Sequence, residues 1–400
     1  MNREDFPIFE NNKDLIYFDN GATSLKPKEV IDSVVEYYSK YTANAHRGDY
    51  DNSVEVDKKY ESARDNVKDF INADSSSEIV FTSGTTESLN MVVFGFMKYY
   101  LSESDEVLIT KSEHASNILP WMELASDIGI KIKFIPLDEE YNVTIDNIRS
   151  VLTPKTKVIS LAHITNVIGD VRDIETIGRF AKENNLLFVV DAAQSIGHIK
   201  IDVQKSNIDF LGFSAHKMLG PTGIGCLYGK KELLEKLVPL KYGGGMNTFF
   251  ESTGEVEYKE LPERLEAGTQ NIAGVIGLNS AINYLKKIGI DNIHKHEIEL
   301  KKYAIEKLED ISDIKLYNKN SDSGIIVFNL DNIFSQDVAV YLNHFKISVR
   351  SGNHCAKILK DELKTTNTCR ISLYLYNTKE EIDKLIEVLK DHNNIFDIIL

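Results

Sequence analysis

Two apolar runs decide the fold, because each ends in a polar cluster. They are Leu187-Phe188-Val189-Val190-Asp191-Ala192-Ala193-Gln194 and Phe210-Leu211-Gly212-Phe213-Ser214-Ala215-His216-Lys217. Short continuous apolar runs are typical of strands that are buried on both faces of a parallel sheet. Similar runs alternate with helical patterns from residue 78 to residue 228, which predicts an α/β fold with a mostly parallel sheet between helices. Ligands of such sheets bind beyond the carboxyl ends of the strands, so the candidate site lies there.

The predicted division of the chain has three parts. Residues 1–20 form an N-terminal arm, residues 21–285 a large sheet domain, and residues 286–400 a smaller C-terminal α+β domain. Long helical patterns at 275–288 and 293–308 lead out of the sheet region. The pattern that follows alternates short strands with two helices, and a chain of 400 residues exceeds one compact core.

The composition excludes several classes of function. The formal net charge of −15 argues against a nucleic-acid or anionic-membrane partner. No apolar run reaches the roughly 20 residues of a membrane helix, and the first residues do not resemble a signal peptide, so we expect a cytoplasmic location. Three cysteines in a chain of this length do not make a disulfide framework. No metal site is predicted.

Lys217 and Asp191 predict a specific cofactor. A lysine directly after a nearly all-apolar strand usually has a functional role. A desolvated amine with a lowered pKa suits Schiff-base formation. Asp191 closes another apolar strand, where a carboxylate needs a cation such as a protonated pyridine nitrogen. In isolation Asp191 fits a helix cap equally well. Read together, the two residues indicate pyridoxal 5′-phosphate bound as a Schiff base on Lys217.

Two further strand ends offer donors and a flat ring. The stretch Thr82-Ser83-Gly84-Thr85-Thr86-Glu87 opens a helix and suits a phosphate group, although a glycine turn with a helix cap explains it as well. Ser214 and His216 can add donors to the phosphate. His114 follows another strand; its ring either stacks on a flat cofactor or serves as a cap or core histidine.

The C-terminal part carries a second cluster. Cys355 lies on a glycine-containing loop beside Arg350 and His354, a positive surrounding that favours the reactive thiolate. Arg370 offers the fork that usually holds a substrate carboxylate, the alternative being a surface salt bridge. Cys226 and Cys369 lie in apolar runs and are expected to pack in the interior.

These motifs together resemble the SUF-type (group II) cysteine desulfurases, in the class V branch of fold type I pyridoxal-phosphate enzymes. The resemblance extends from Phe18 to the last helix. Its motifs are Ala45-His46-Arg47-Gly48, Thr82-Ser83-Gly84-Thr85-Thr86-Glu87, Glu113-His114-Ala115-Ser116-Asn117-Ile118-Leu119-Pro120-Trp121, Asn166-Val167-Ile168-Gly169, Asp191-Ala192-Ala193-Gln194, Ser214-Ala215-His216-Lys217, Glu266-Ala267-Gly268-Thr269, Arg350-Ser351-Gly352-Asn353-His354-Cys355-Ala356 and Cys369-Arg370-Ile371-Ser372.

The resemblance implies a role for each matching residue. Lys217 would carry the cofactor and move protons, and Cys355 would accept sulfur from L-cysteine as a persulfide, leaving L-alanine. The sulfur would go to an acceptor protein of unknown identity, for a use such as Fe–S cluster assembly. The remaining roles are ring stacking by His114, ring-nitrogen binding by Asp191, ring-oxygen binding by Gln194, phosphate binding by Thr85, Thr86, Ser214 and His216, a phosphate contact to the other subunit of a homodimer by Thr269, and substrate binding by Asn166, Arg350 and Arg370.

Some positions depart from the family pattern, and other reactions stay open. Tyr50, Asn353 and Gln336 stand where the family often has histidine, and the segment after Cys355 is unusually charged. These departures concern the acceptor and its docking surface. The alternatives are a selenocysteine lyase, a cysteine sulfinate desulfinase, or another class V aminotransferase or epimerase. A binding protein without turnover is disfavoured, because the predicted catalytic set is complete.

Overall fold

A seven-stranded sheet forms the centre of the computed structural model, which describes residues 3–399. The first two residues of the predicted arm and the last residue of the predicted small domain therefore lie outside the described residues. Six strands are parallel to one another, and Gly225–Gly229 runs antiparallel to both of its neighbours. In spatial order the strands are Ile79–Thr82, Gly225–Gly229, Phe210–Ser214, Leu187–Asp191, Thr156–Ala162, Glu106–Ile109 and Lys131–Phe134.

Helices cover both faces of this sheet, because its strands are apolar on both sides. Every residue of Phe210–Ser214 is buried, and separate apolar clusters lie on the two faces. The α/β fold class with a mostly parallel sheet between helices is therefore confirmed. The α-helices that precede the smaller sheet described below are Ile8–Asn11, Lys28–Lys40, Asp51–Ile71, Thr85–Asn90, Lys98–Tyr100, Leu119–Ile128, Ile145–Val151, Ile174–Glu183, Lys231–Leu234, Ile272–Ile288 and Ile290–Leu308.

The helix after the first sheet strand differs from the regular helix expected there. Thr85–Asn90 is α-helical, and Met91–Met97 continues it as a π-helix. The Val238 N–H donates a hydrogen bond to the Gly95 carbonyl at 2.8 Å, from outside the helix. A Cβ at Gly95 would lie 2.6 Å from the Val238 carbonyl oxygen, so only glycine fits this close approach.

A four-stranded antiparallel sheet forms the second unit. Its order is Ile314–Tyr317, Ile325–Leu330, Thr368–Ser372 and Arg350–Gly352. The N-terminal strand Ile16–Tyr17 pairs in parallel with Ile347–Ser348, and the fully buried Phe18 joins the apolar core of this unit. The α-helices of this part are Ser335–His344, Lys360–Leu363, Lys379–Lys390 and Ile395–Ile399.

An exposed hairpin, Asn247–Phe250 with Val256–Tyr258, projects from the large sheet unit. Between residues 3 and 399, no helix is long and apolar enough to cross a membrane. Over the same range, no group of three or more histidine, cysteine, aspartate or glutamate side chains is arranged to hold a metal ion.

Candidate active site

Lys217 lies one turn beyond the buried strand Phe210–Ser214, on the short 3-10 turn Ala215–Lys217. Burial lowers the pKa of its amine to about 8, against the opposing effect of Asp191. A substantial fraction of the amine is consequently neutral near pH 8, as a nucleophilic lysine requires.

Asp191 lies at the end of the neighbouring strand, where it pairs in register with Gly212. The carboxyl is 4% exposed, and burial raises its pKa to about 6. Its Oδ1 accepts a hydrogen bond from the Ala193 N–H at 2.9 Å. A carboxyl with so little water around it favours a cationic ligand group, since the charge is otherwise poorly compensated.

His114 follows the strand Glu106–Ile109 and caps a short turn. Its Nδ1 accepts a hydrogen bond from the Ser116 N–H at 3.1 Å, which leaves the proton of the neutral ring on Nε2. Burial, followed by the charges of Lys217 and the two nearby arginines, lowers the pKa of His114 to about 4. The imidazole is therefore neutral at physiological pH and presents a flat, uncharged ring.

Hydroxyl and amide donors converge beside Lys217. The Thr85 N–H donates to the Ser214 Oγ at 2.8 Å, and the hydroxyls of Thr86 and Ser116 lie 2.8 Å apart. Gly84 has φ +148°, and a Cβ there would lie 2.9 Å from the Ser214 Oγ. Glycine is required at this position, and the donors can approach one another closely because of it.

One cavity of about 220 Å³ collects most of the predicted residues. It presents an amine, a buried carboxyl and clustered hydroxyl donors, and the buried Asn166 Oδ1 in its wall has no hydrogen-bond partner. This set of donors and acceptors fits pyridoxal 5′-phosphate. The predicted residues that line the cavity are Thr85, Thr86, His114, Asn166, Asp191, Gln194, Ser214, His216, Lys217 and Arg350.

Three predicted residues, Thr269, Cys355 and Arg370, are not among those that line this cavity, and Gln194 lines it with its side chain already hydrogen-bonded. Thr269 lines a separate cavity of about 190 Å³ and accepts a hydrogen bond from Asn44 at 3.2 Å. The Gln194 side chain lines the main cavity but donates to the Gly21 carbonyl at 2.8 Å. Within this chain, Thr269 is therefore not brought together with the Lys217 cluster.

Cys355 is the exposed cysteine among the three, whereas Cys226 and Cys369 are buried as expected. Arg350 donates to the Cys355 Sγ at 3.6 Å, so the guanidinium lies beside the thiol. His354 and Cys355 have φ values of 48° and 59°, both in the left-handed region. Each such residue costs about 1–2 kcal/mol when it is not glycine, so the surrounding contacts must hold this turn.

Arg370 is completely buried, so the alternative of a surface salt bridge is wrong. Its guanidinium forms an ion pair with Asp19 at 2.8 Å and donates to the Asn166 main-chain carbonyl at 2.7 Å. It also packs against Gly21, where a Cβ would lie 2.9 Å from the Arg370 Cζ. The Nε remains without a hydrogen-bond partner. A buried guanidinium with an unused donor is suited to an anionic ligand group.

Known proteins resemble this chain in sequence and in fold. The aminotransferase class-V family matches residues 16–385. The chain belongs to the class-V family. A probable cysteine desulfurase of Halalkalibacterium halodurans is 41% identical, over 98% of this chain and 97% of the relative. A probable cysteine desulfurase of Staphylococcus aureus is 43% identical, over 98% of this chain and 96% of the relative.

Solved structures lead to the same class-V group. The apo structure of a cysteine desulfurase from Thermococcus onnurineus NA1 superposes with a TM-score of 0.93 and 39% identity, over 97% of this chain and 96% of that one. The Escherichia coli cysteine desulfurase CsdA, in an S-sulfonic acid form, superposes with a TM-score of 0.92 and 33% identity, over 100% of this chain and 98% of that one. The predictions of a class-V pyridoxal-phosphate fold and of a cysteine desulfurase are confirmed.

A buried ionic network that no local sequence pattern indicates lies beneath this site. Arg172 and Glu113 are both fully buried and form an ion pair, and Arg172 Nε also bonds Asp170 at 3.2 Å. Glu113 accepts the Ala162 N–H at 2.7 Å, while Arg172 donates to the Ala162 carbonyl at 3.0 Å. The pair thus holds the end of one sheet strand against the loop of His114. Glu113 adjoins His114 in the sequence, but nothing local identified Arg172 as its partner.

Proposed function

We propose that this class-V enzyme converts L-cysteine to L-alanine and takes the sulfur onto Cys355 as a persulfide. The observation that carries the proposal is the position of Cys355. Its thiol is exposed and lies 3.6 Å from Arg350, and Arg350 lines the same cavity as Lys217. An aminotransferase does not need a thiol at this place, whereas a sulfur acceptor does.

The cofactor would be held by residues of the cavity. Lys217 would carry it, Asp191 would pair with its ring nitrogen, and His114 would lie against its ring as a neutral imidazole. Thr85, Thr86, Ser214 and His216 would hold the phosphate, and Gln194 would reach the ring oxygen. When bound, pyridoxal 5′-phosphate supplies an electron sink for negative charge at the substrate Cα.

Lys217 is the proton carrier in this proposal. With a pKa of about 8, its free amine accepts a proton at the substrate Cα and returns one near neutral pH. The substrate carboxylate would be oriented by Arg370 and Asn166, and the Arg370 guanidinium donates to the main-chain carbonyl of Asn166 at 2.7 Å. Arg350 adds positive charge between that carboxylate and Cys355.

The sulfur step balances without an external oxidant. The Cys355 thiolate attacks the substrate sulfur and forms an S–S bond while the Cβ–S bond breaks. The electron pair of that bond stays on carbon, which takes a proton and becomes the methyl group of L-alanine. Attack requires the two sulfurs to lie about 3–3.5 Å apart, so a constrained loop favours the reaction. A thiol acceptor then removes the sulfur and restores Cys355.

The wider assignments belong to the same proposal. We place the enzyme in the cytoplasm as a homodimer in which Thr269 reaches the phosphate of the other subunit. An acceptor protein would take the persulfide sulfur, for a use such as Fe–S cluster assembly. The division into an arm, a large domain of residues 21–285 and a small domain of residues 286–400 is proposed with it.

Replacement of Cys355 tests the reaction. In Cys355→Ala we expect alanine and sulfide formation from L-cysteine to fall to background, while the absorbance of bound cofactor persists. Cys226→Ala is the matched control, because that thiol is buried in the sheet, and it should keep its activity. Continued sulfide release by Cys355→Ala at the wild-type rate would overturn the desulfurase assignment.

A further inference from the structure

The turn that carries Cys355 is held from two sides. On one side the His354 ring lies with its Nε2 3.0 Å from the Thr368 carbonyl, in the small sheet. On the other side the Asn166 amide donates to the His354 carbonyl at 2.7 Å, and the Ala115 N–H donates to the Cys355 carbonyl at 2.8 Å. Because both residues of the turn have left-handed backbone, these contacts hold a conformation that a free loop would leave.

The segment after Cys355 rests on the large sheet unit. Ile358 packs against the apolar cluster that contains Trp121, on one face of the main sheet. Leu359 and Leu363 belong to another cluster, together with Val167 from the large unit. The apolar face of residues 357–363 is therefore covered, and its position affects where Cys355 lies.

An ion pair closes this contact at the surface. Lys111 lies between the strand Glu106–Ile109 and His114, and its Nζ is 2.8 Å from the Glu362 Oε1. Each side chain is about one third exposed, at 33% and 32%. The pair joins the loop that carries His114 to the short helix that follows Cys355.

We propose that Lys111 and Glu362 are positioning residues for sulfur transfer. This Lys111–Glu362 clasp holds residues 353–363 against the His114 loop, so that the strained turn presents Cys355 to the cavity. The inference rests on the proposed function, because it concerns the step in which Cys355 attacks the substrate sulfur. A displacement of 1 Å can lower a rate by about 10²-fold, so a modest surface interaction acts on the reaction through the placement of the nucleophile.

Charge reversal on the holoenzyme tests the clasp. The variants are Lys111→Glu, Glu362→Lys and the double exchange, with Lys98→Glu as the matched control. Lys98 forms an ion pair of similar length, 2.7 Å, and similar exposure with Asp127. Two measurements distinguish a displaced Cys355 segment from a disrupted cofactor site. They are amide hydrogen exchange of residues 353–363 by mass spectrometry, and deuterium exchange at the Cα of L-alanine, which does not use Cys355.

In each single reversal we expect kcat for alanine formation from L-cysteine to fall by about three- to tenfold at an unchanged KM. Amide exchange of residues 353–363 should become faster, and Cα exchange should stay at the wild-type rate. The double exchange should restore kcat and amide protection, and Lys98→Glu should behave like the wild type. Glu362→Gln is a milder change, and it should shift kcat and amide exchange in the same direction by a smaller amount. It is used in place of any charge-reversal variant that does not fold.

The clasp proposal is overturned if the single reversals match Lys98→Glu in kcat or in the amide exchange of residues 353–363, or if the double exchange restores neither quantity. It is also overturned if Cα exchange falls together with kcat, because the defect then lies in the cofactor site. Failure of the proposed function has a different signature: the wild type makes no alanine from L-cysteine. Amide exchange of residues 353–363 would still judge the clasp in that case.

Discussion

Two buried histidines should make the protein sensitive to mild acid. His163 and His354 are 5% and 3% exposed, and each has a ring nitrogen without a hydrogen-bond partner. Burial is the main cause that lowers the pKa of both rings from 6.5 to about 3. A histidine with a depressed folded-state pKa stabilises the fold fully above pH 6.5, and this stability is lost as the pH falls towards 3.

The size of the effect follows from the two pKa values. At pH 5 an unfolded histidine is almost fully protonated, whereas the same ring held at about 3 stays neutral. Because of this difference, the free energy of unfolding at pH 5 is lower than at pH 7.5 by about 2 kcal/mol for each ring, or about 4 kcal/mol for both. Asp191 acts in the opposite direction by about 1 kcal/mol, because burial raises its pKa to about 6 and the folded state then binds the proton more readily.

Urea unfolding at pH 7.5 and pH 5.0 measures this loss in the wild type, in His163→Gln and in His354→Gln. Each variant is compared with itself at the two pH values, so its baseline destabilisation cancels. Each glutamine should reduce the loss by about 2 kcal/mol, since the unfolded chain then has one proton fewer to bind. His344→Gln controls for the replacement of an exposed histidine. Equal losses in the wild type and in both buried-site variants would refute the reasoning.

Three further substitutions test other parts of the site. Asp191→Asn should weaken cofactor binding by about 10- to 100-fold, because a charged hydrogen-bond partner of the ring nitrogen is lost. Absorbance titration measures the affinity, and an unchanged affinity would contradict ring-nitrogen binding by Asp191. Arg370→Lys should raise the KM for L-cysteine about tenfold by removing the planar fork, with steady-state kinetics as the check and a wild-type KM as the contrary result. Glu113→Gln should lower the free energy of unfolding by about 3–5 kcal/mol because Arg172 stays buried without its anion, whereas Glu309→Gln at an exposed pair should cost about 0–1 kcal/mol.

The parts of the site that follow sheet strands could be predicted from the sequence. Lys217, Asp191 and His114 each come after an apolar run, and the edge rule for parallel sheets brings such positions together without knowledge of the strand order. The loop that carries Cys355 and the basic residues beside it predict a reactive thiol. These predictions needed only local composition and one topological rule.

The rest depends on pairings between distant residues. Arg172 contacts Glu113 across 59 positions, and the run around Arg172 gives no local reason for a buried guanidinium. The same holds for Ile16–Tyr17, which pairs with Ile347–Ser348 although residues 1–20 read as an arm. Lys111 and Glu362 look like ordinary surface charges, and only the folded chain shows that they meet.

The pairing of the N-terminal segment with the second sheet has a consequence for synthesis on the ribosome. Asp19 and Arg370 are separated by 351 positions, and Phe18 packs in an apolar cluster whose other buried members lie between Leu300 and Ile395. At about 5–20 residues per second, the first partner waits roughly 20–70 s for the second to be translated. During that time Phe18 stays without its native packing partners. The arginine proposed to receive the substrate is thus placed at the end of biosynthesis, when the two ends of the chain join.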